Sequence, residues 1–177
     1  MKDMNALLAG FGGQGILFMG KVIVNSGLID GKEVSWLPSY GPEMRGGTAN
    51  CSVCISDDPI CSPLVINPNV LIAMNLPSLD KFIDKVVPGG IVILDSTLIP
   101  KKVERDDVTV AYVPATELAE KNSLKKLANI ILIGKLMAMT GFCTEETMEK
   151  TIAKIVPPKK QHLIEPNMKA IKIGMEY

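Results

Sequence analysis

The sequence contains 177 residues, a length that fits one domain of medium size. Nineteen basic and nineteen acidic side chains cancel to a formal net charge of zero, so the chain lacks the positive charge with which proteins hold nucleic acid. The hydrophobic fraction is 47%, but no apolar run reaches the length of about 20 residues that spans a membrane, and the N-terminus does not match a secretory signal. We therefore expect one domain over residues 1–177, located in the cytoplasm, with no nucleic acid or membrane as partner. The high apolar content predicts that one face is buried against another subunit.

The first part of the chain alternates between strand and helix patterns. An apolar run predicts a strand over 5–9, and apolar residues at helical spacing predict a helix over 15–26. A second strand is predicted over 33–37, ending before Pro38, and a third over 48–56. The order of strand, turn, helix and strand is typical of a βαβ unit.

The rest of the chain continues this alternation and then becomes helical. Apolar runs predict strands over 70–74, 90–97 and 108–113, with the last strand followed only by helices. Helices are predicted over 77–87, 115–121 and 124–140, from Thr144 onward, and from about Pro158 to Ile173. These patterns predict an α/β fold with a doubly wound, mostly parallel, Rossmann-like sheet and C-terminal helices.

Four cysteines and one histidine limit the metal sites that the chain can form. Cys51 and Cys54 form a C-x-x-C pair, but they fall in a predicted strand, where residues three apart point to opposite faces. They therefore cannot hold one ion together, and buried structural thiols are the expected role. His162 is the only histidine, which excludes a multi-histidine cluster, and it is expected to be solvated on the last helix. We predict no metal-binding residue.

The turn GFGGQG, residues 10–15, lies between the first predicted strand and the first predicted helix. Its glycines fit the G-x-G-x-x-G pattern, which lets a phosphate approach the backbone amides at the positive end of a helix. Close packing of the strand against the helix explains the same glycines equally well. A NAD site would also need an acidic residue where the second strand ends, and residues 36–40 are WLPSY. Classical NAD binding is therefore disfavoured.

A second glycine-rich segment, PSYGPEMRGG at 38–47, follows the second predicted strand. It places the guanidinium of Arg45 beside Gly46 and Gly47, a combination suited to phosphate or carboxylate recognition. A buried network between Glu43 and Arg45 at an interface is the alternative. Because ligands of open α/β sheets bind beyond the carboxyl ends of the strands, we expect both glycine-rich segments to converge on one site.

Four segments of the sequence resemble the gamma subunits of 2-oxoacid:ferredoxin oxidoreductases. They are GFGGQG at 10–15, PSYGPEMRGGTANCSV at 38–53, Ser62-Pro63, and AMNLPSLDKF at 73–82. The PSYGPEMRGG segment is highly specific, and the resemblance extends from about Asn5 to Thr97. The same module resembles one domain of single-chain pyruvate:ferredoxin oxidoreductases.

This resemblance implies a complex that oxidatively decarboxylates a 2-oxoacid on thiamine diphosphate, reduces ferredoxin through iron–sulfur clusters, and passes the acyl group to coenzyme A. Thiamine diphosphate, magnesium and the clusters are implied on alpha, beta and delta partner subunits, because this chain has no G-D-G motif and no cysteines grouped in loops. For this chain the resemblance implies assembly and a shared coenzyme A site, with no catalytic residue and no activity alone. It favours 2-oxoglutarate as the substrate.

The predicted cofactor-binding residues are those that match the family motif. They are Gly10, Gly12, Gly13, Gln14, Gly15, Ser39, Tyr40, Gly41, Glu43, Arg45, Gly46, Gly47 and Thr48, with Asn75 after the next strand. Coenzyme A carries a pyrophosphate, which can use a helix start and an arginine without the acid that NAD sites employ. Two alternatives stay open: a stand-alone Rossmann-type nucleotide-binding oxidoreductase, and a purely structural interaction subunit.

Overall fold

The computed structural model describes residues 3–39 and 48–177, and in this part of the chain one six-stranded sheet is covered by six α-helices. The strands are β1 (Met4–Phe11), β2 (Glu33–Ser39), β3 (Thr48–Ser56), β4 (Val70–Ala73), β5 (Ile91–Asp95) and β6 (Thr109–Val113). The helices are α1 (Ile16–Ile29), α2 (Leu76–Phe82), α3 (Ala115–Lys121), α4 (Ala128–Thr140), α5 (Glu145–Ile155) and α6 (Ile164–Glu176). Short 3-10 segments occupy Ile83–Lys85 and Pro158–Leu163.

The strands lie in the order β2-β3-β1-β4-β5-β6. Strands β1, β4, β5 and β6 are parallel to one another, whereas β3 is antiparallel to both of its neighbours, β1 and β2. The predicted α/β fold with a mostly parallel sheet is therefore confirmed. β1 and β2 are parallel and joined through α1, as the predicted βαβ unit requires, but β3 lies between them in the sheet. The connection over residues 40–47 is too short for the crossover that parallel neighbours need, so β3 pairs with β2 antiparallel.

Several element bounds differ from the predictions for local reasons. Strand β2 continues through Pro38 to Ser39, because an edge strand needs hydrogen bonds on one side only and tolerates proline. Helix α4 begins at Ala128 rather than at Leu124. The residues before it include two non-glycine residues in the left-handed region, Ser123 and Lys126, which an α-helix cannot contain.

Helices cover opposite faces of the central strands. On β1, Ala6 and Leu8 point into a large core with α1 and the C-terminal helices, while Leu7 and Ala9 point into a smaller core with α2. This burial on both faces explains why the central strands are continuous apolar runs. Because α1 and α2 leave neighbouring strands on opposite sides, a crevice forms at the carboxyl ends of β1 and β4, where ligands of such folds bind.

Helix α4 is buried between the sheet and α6. Residues 130–134 are all buried, and the two helices approach most closely at Gly134 and Gly174. Among the described residues, neither α4 nor any other helix is long and apolar enough to cross a bilayer.

Candidate functional site

The strand register brings the start of the GFGGQG turn and the residues on either side of 40–47, Ser39 and Thr48, to the same edge of the sheet. Phe11, the last residue of β1, is the ladder partner of Thr48, and Ser39, the last residue of β2, is the partner of Asn50. The GFGGQG turn therefore begins beside the point where the second segment ends. Ser39 and Thr48 bracket that segment, but the predicted site residues Tyr40, Gly41, Glu43, Arg45, Gly46 and Gly47 lie outside the described residues.

Gln14 holds the GFGGQG turn in place. Its Oε1 accepts a hydrogen bond from the Phe11 N–H at 2.6 Å, and its Nε2 donates to the Met74 carbonyl at 2.9 Å. Gly10 lies directly against this arrangement, since an added Cβ would be 2.6 Å from Gln14 Oε1. Both residues therefore join the end of β1 to the end of β4, which is a packing role.

The other glycines of the turn shape the start of α1. Gly15 precedes the helix with a φ of 80°, and an added Cβ would be 2.5 Å from the side chain of Asn129. Gly13 has a φ of 96°, but an added Cβ would meet nothing within 4 Å, and Gly12 is exposed. The first turn of α1 has no side-chain cap and no acidic residue. Its positive end is therefore free to attract an anion, with Gly13 as the open point of approach.

Two cavities flank this turn and share Gly13 and Lys126. The first, about 470 Å³, lies between the ends of β1 and β4 and helix α3. It is lined by Gly13, Gln14, Met74, Thr116, Ala119, Glu120, Lys125, Lys126 and Ala128. The second, about 350 Å³, lies between α1, α4 and α6, and its lining includes Phe18, Leu127, Val156 and Leu163. Apolar walls with a few polar groups are typical of binding sites for organic ligands.

Three lysines bring positive charge to these cavities. Lys125 and Lys126 line the first, and Lys126 and Lys160 line the second. The ion pairs found in the described part of the chain involve none of the three. Lys126 also holds a left-handed φ of 68°, which costs free energy in a residue with a side chain. None of the three lysines is among the predicted site residues; for Lys125 and Lys126, the pair in SLKKLAN just before α4 was the available signal.

Asn129 and Asn167 form a polar floor for the second cavity. Asn129 is 3% exposed and its Nδ2 donates to the Gly15 carbonyl at 3.1 Å, while Asn167 is 4% exposed and its Nδ2 donates to the Leu163 carbonyl at 2.7 Å. The Oδ1 atom of each is buried without a hydrogen-bond partner among the described residues. These unpaired acceptors have almost no accessible surface, so they are a free-energy cost of packing the helices.

The buried carboxylate of Asp95 fixes one wall of the first cavity. Asp95, at the end of β5, is 0% exposed and accepts hydrogen bonds from the Thr116 hydroxyl at 2.5 Å and from the N–H groups of Thr116 and Thr97. It thereby fixes the start of α3, one wall of the cavity. The sequence predicts Asp95 only as part of a strand, because its partner Thr116 lies in a separate element.

Asn75 lies at the same edge but serves as a helix cap. Its Oδ1 accepts a hydrogen bond from the Ser78 N–H at 2.8 Å at the start of α2, and the residue is 3% exposed. It lines neither cavity at the turn. A ligand contact for Asn75 stays a prediction.

The cysteine geometry follows the expectation from the strand pattern. Cys51 points into the core beneath α1, whereas Cys54 lies on the opposite face, where its Sγ donates to the Ser62 carbonyl at 3.9 Å. Burial raises the pKa of the Cys51 thiol to about 12, and the neighbouring Trp36 side chain acts in the opposite direction. Within the described ranges, no group of three or more histidine, cysteine or acidic side chains is arranged to hold a metal ion. His162 is exposed, as expected, but it lies in the 3-10 segment before α6 and not on that helix.

Comparison with other proteins gives one family and close relatives. Residues 5–177 match the pyruvate ferredoxin/flavodoxin oxidoreductase family. The chain is 40% identical over 177 residues to ketoisovalerate oxidoreductase subunit VorA of Methanothermobacter thermautotrophicus, which covers 99% of this chain but only 36% of VorA. It is 39% identical over 172 residues to 2-oxoglutarate synthase subunit KorC of Methanocaldococcus jannaschii, which covers 96% of this chain and 90% of KorC.

A solved structure shares the fold over almost the whole chain. The gamma subunit of a keto/oxoacid ferredoxin oxidoreductase from Geobacter sulfurreducens PCA aligns with a TM-score of 0.83 at 28% identity, covering 99% of this chain and 97% of that one. The resemblance to gamma subunits inferred from the sequence motifs is thereby confirmed. The chain belongs to the pyruvate ferredoxin/flavodoxin oxidoreductase family.

Proposed function

We propose that this chain is the gamma subunit of a 2-oxoacid:ferredoxin oxidoreductase complex, in which it contributes assembly and a share of the coenzyme A site. The observation that carries the proposal is the open start of α1, where Gly13 is accessible between two cavities and unpaired lysines stand nearby. Family membership and the match to KorC support the reaction class. The complex oxidises and decarboxylates a 2-oxoacid, reduces ferredoxin and forms an acyl-coenzyme A.

Coenzyme A suits the chemistry of this edge of the sheet. The uncapped amides of α1 and the Lys126 side chain both border Gly13, and both can bind the negatively charged pyrophosphate of coenzyme A. Its nucleotide and pantetheine ends carry apolar groups, which fit the apolar walls of the second cavity. Strand β2 ends at Ser39 without an acidic residue. This disfavours NAD binding, which uses such a residue, but it does not weaken coenzyme A binding.

The reactive cofactors belong, in this proposal, to partner subunits. Thiamine diphosphate with magnesium and the iron–sulfur clusters would lie on alpha, beta and delta subunits, and the complex would work in the cytoplasm. This chain supplies no catalytic residue: it binds and orients coenzyme A so that the thiol faces the acyl group held by a neighbour. The greater length of VorA, of which this chain spans 36%, supports an attachment to other modules.

The complex assembled from this chain and its partner subunits is expected to oxidise 2-oxoglutarate faster than other 2-oxoacids. The chain is 39% identical to a 2-oxoglutarate synthase subunit and 40% identical to a ketoisovalerate oxidoreductase subunit. Ketoisovalerate, which is 2-oxoisovalerate, is therefore the main alternative substrate. The measurement is ferredoxin reduction with 2-oxoglutarate, 2-oxoisovalerate, pyruvate and indolepyruvate. A clear preference for pyruvate would contradict the substrate, and turnover by the isolated chain would contradict its role as a subunit.

Replacing Lys126 or Arg45 with alanine is expected to raise the apparent KM of the assembled complex for coenzyme A by about tenfold. A charge-assisted hydrogen bond to a phosphate contributes about 1.5–3 kcal/mol, and each variant removes one cation that the proposal places at the ligand. The KM for the 2-oxoacid is expected to stay constant. Lys169→Ala, which removes an exposed lysine from α6, is the matched control. Unchanged coenzyme A values for both site variants would favour the purely structural subunit.

The stand-alone nucleotide-binding oxidoreductase makes the opposite prediction for the isolated chain. That chain would elute alone and bind NAD, whereas a gamma subunit co-expressed with its partners elutes in a brown, cluster-containing complex. Calorimetric titration of the isolated chain with NAD and elution of the co-expressed chain separate the two functions.

A further inference from the structure

The second cavity, about 350 Å³, lies against the starts of two helices that are far apart in sequence. Gly15 and Leu127, the N-cap residues of α1 and α4, both line it. Neither helix has a side-chain cap or an acidic residue in its first turn. The Asn129 side chain, in the first turn of α4, donates to the Gly15 carbonyl at 3.1 Å, so the two helix starts are adjacent. Their positive ends therefore act on the same space.

Lysine side chains add to the positive charge of this cavity. Lys126 and Lys160 line it, and the ion pairs found in the described part of the chain involve neither of them. The described lining residues include no aspartate or glutamate. Glu165, in the first turn of α6, is exposed to solvent and does not line the cavity. The second cavity is therefore suited to a group with high negative charge.

The first cavity has a different charge, although it shares Gly13 and Lys126 with the second. Its lining includes the exposed carboxylate of Glu120 together with Lys125. A phosphate monoester carries a charge of about −1.5 to −2 at pH 7, so this carboxylate repels it. A neutral amide chain is not repelled, and its N–H groups can donate to Glu120. Because both cavities have apolar walls, charge is the property that distinguishes them.

We propose that the second cavity binds the adenosine 3′-phosphate of coenzyme A and that the first cavity binds the pantetheine arm, an inference that rests on the proposed function. The phosphate monoester is the most highly charged end of coenzyme A, and the pantetheine arm is neutral and contains amides. The pyrophosphate joins these two ends, and Gly13 and Lys126 are shared by the two cavities. Lys160 is then the residue that distinguishes coenzyme A from the same molecule without its 3′-phosphate.

The test compares coenzyme A with 3′-dephospho-coenzyme A in the assembled complex, by KM and by calorimetric titration. Lys160→Ala is expected to raise the KM and the Kd for coenzyme A by about tenfold and to leave both values for dephospho-coenzyme A unchanged, because it removes one charge-assisted contact to the 3′-phosphate. Lys159→Ala is the matched control, since Lys159 is an exposed neighbour in the same 3-10 segment and lines neither cavity. Lys125→Ala, at the first cavity only, is expected to keep the ratio between the two ligands.

A fragment of coenzyme A gives a second measurement that does not depend on turnover. Adenosine 3′,5′-bisphosphate lacks the pantetheine arm, so it is expected to displace coenzyme A from the wild-type complex and about tenfold less well from the Lys160→Ala complex. Inorganic phosphate at the same concentration is expected to displace far less, because it lacks the nucleoside that contacts the apolar walls. Displacement by the bisphosphate that is independent of Lys160 would contradict the inference.

The inference is also overturned if the wild-type complex binds both forms of coenzyme A equally, or if Lys160→Ala weakens both forms equally or neither. Loss of discrimination in Lys125→Ala instead of Lys160→Ala would place the 3′-phosphate in the first cavity. The proposed function fails by a different result, unchanged coenzyme A values in both Lys126→Ala and Arg45→Ala. If Lys126→Ala raises the coenzyme A KM while Lys160→Ala changes neither ligand, only the inference about the 3′-phosphate fails.

Discussion

Gly174→Ala is expected to lower the free energy of unfolding by about 3 kcal/mol or more, at the upper end of what overpacking costs. An ideal Cβ on Gly174 would lie 1.9 Å from the Ile131 carbonyl oxygen of α4. The contact is reciprocal, since a Cβ on Gly134 would lie 2.1 Å from the Ile171 carbonyl oxygen of α6. Both obstacles are backbone atoms, which cannot rotate away as a side chain can. The two helices must therefore separate, which opens the core that Ile131 and Ile171 fill.

Chemical denaturation of the isolated chain measures this effect, with the loss read from the midpoint at constant m-value. Lys172→Ala, an exposed substitution on the same helix, is expected to change stability by less than about 0.5 kcal/mol. A Gly174→Ala protein as stable as wild type would show that α4 and α6 do not pack at this distance.

Asp95→Ala is expected to lower the free energy of unfolding by about 2–3 kcal/mol and to weaken coenzyme A binding by the complex. The substitution removes the buried acceptor of the N–H and hydroxyl groups of Thr116, which is half-buried, and a hydrogen bond to a charged group contributes about 1.5–3 kcal/mol. The start of α3 then loses its anchor. Because Thr116 and Ala119 form a wall of the 470 Å³ cavity, the binding site loosens together with the fold.

Two measurements on one variant separate these effects: the denaturation midpoint of the isolated chain, and the coenzyme A KM of the complex. Asp106→Ala, which removes an exposed carboxylate between β5 and β6, is the control and is expected to change neither. If Asp95→Ala lowered stability but left the KM constant, the first cavity would not be part of the coenzyme A site. An unchanged stability would contradict the role of Asp95 as an anchor.

Much of the fold was predictable because local patterns report burial directly. β3 was predicted over its full length, 48–56, and α3 over 115–121, because their apolar and polar periodicities are regular. The cysteine geometry followed from the strand period alone. The most specific part of the family resemblance is PSYGPEMRGG, of which residues 40–47 lie outside the described residues, so the roles of Glu43 and Arg45 stay predictions. That the whole chain is one domain also stays a prediction.

The sequence by itself determined the order of strands and helices, the class of the fold and the family, since each depends on residues that are neighbours in the chain. Only the tertiary structure decided that β3 lies between β1 and β2, because strand pairing is a contact between distant segments. The tertiary structure also shows that Gly10 is packed against its neighbours, whereas Gly13 is open to an approaching ligand. It places Lys126 beside the same turn. A site of this kind is formed by residues far apart in sequence, and no local pattern contains their distances.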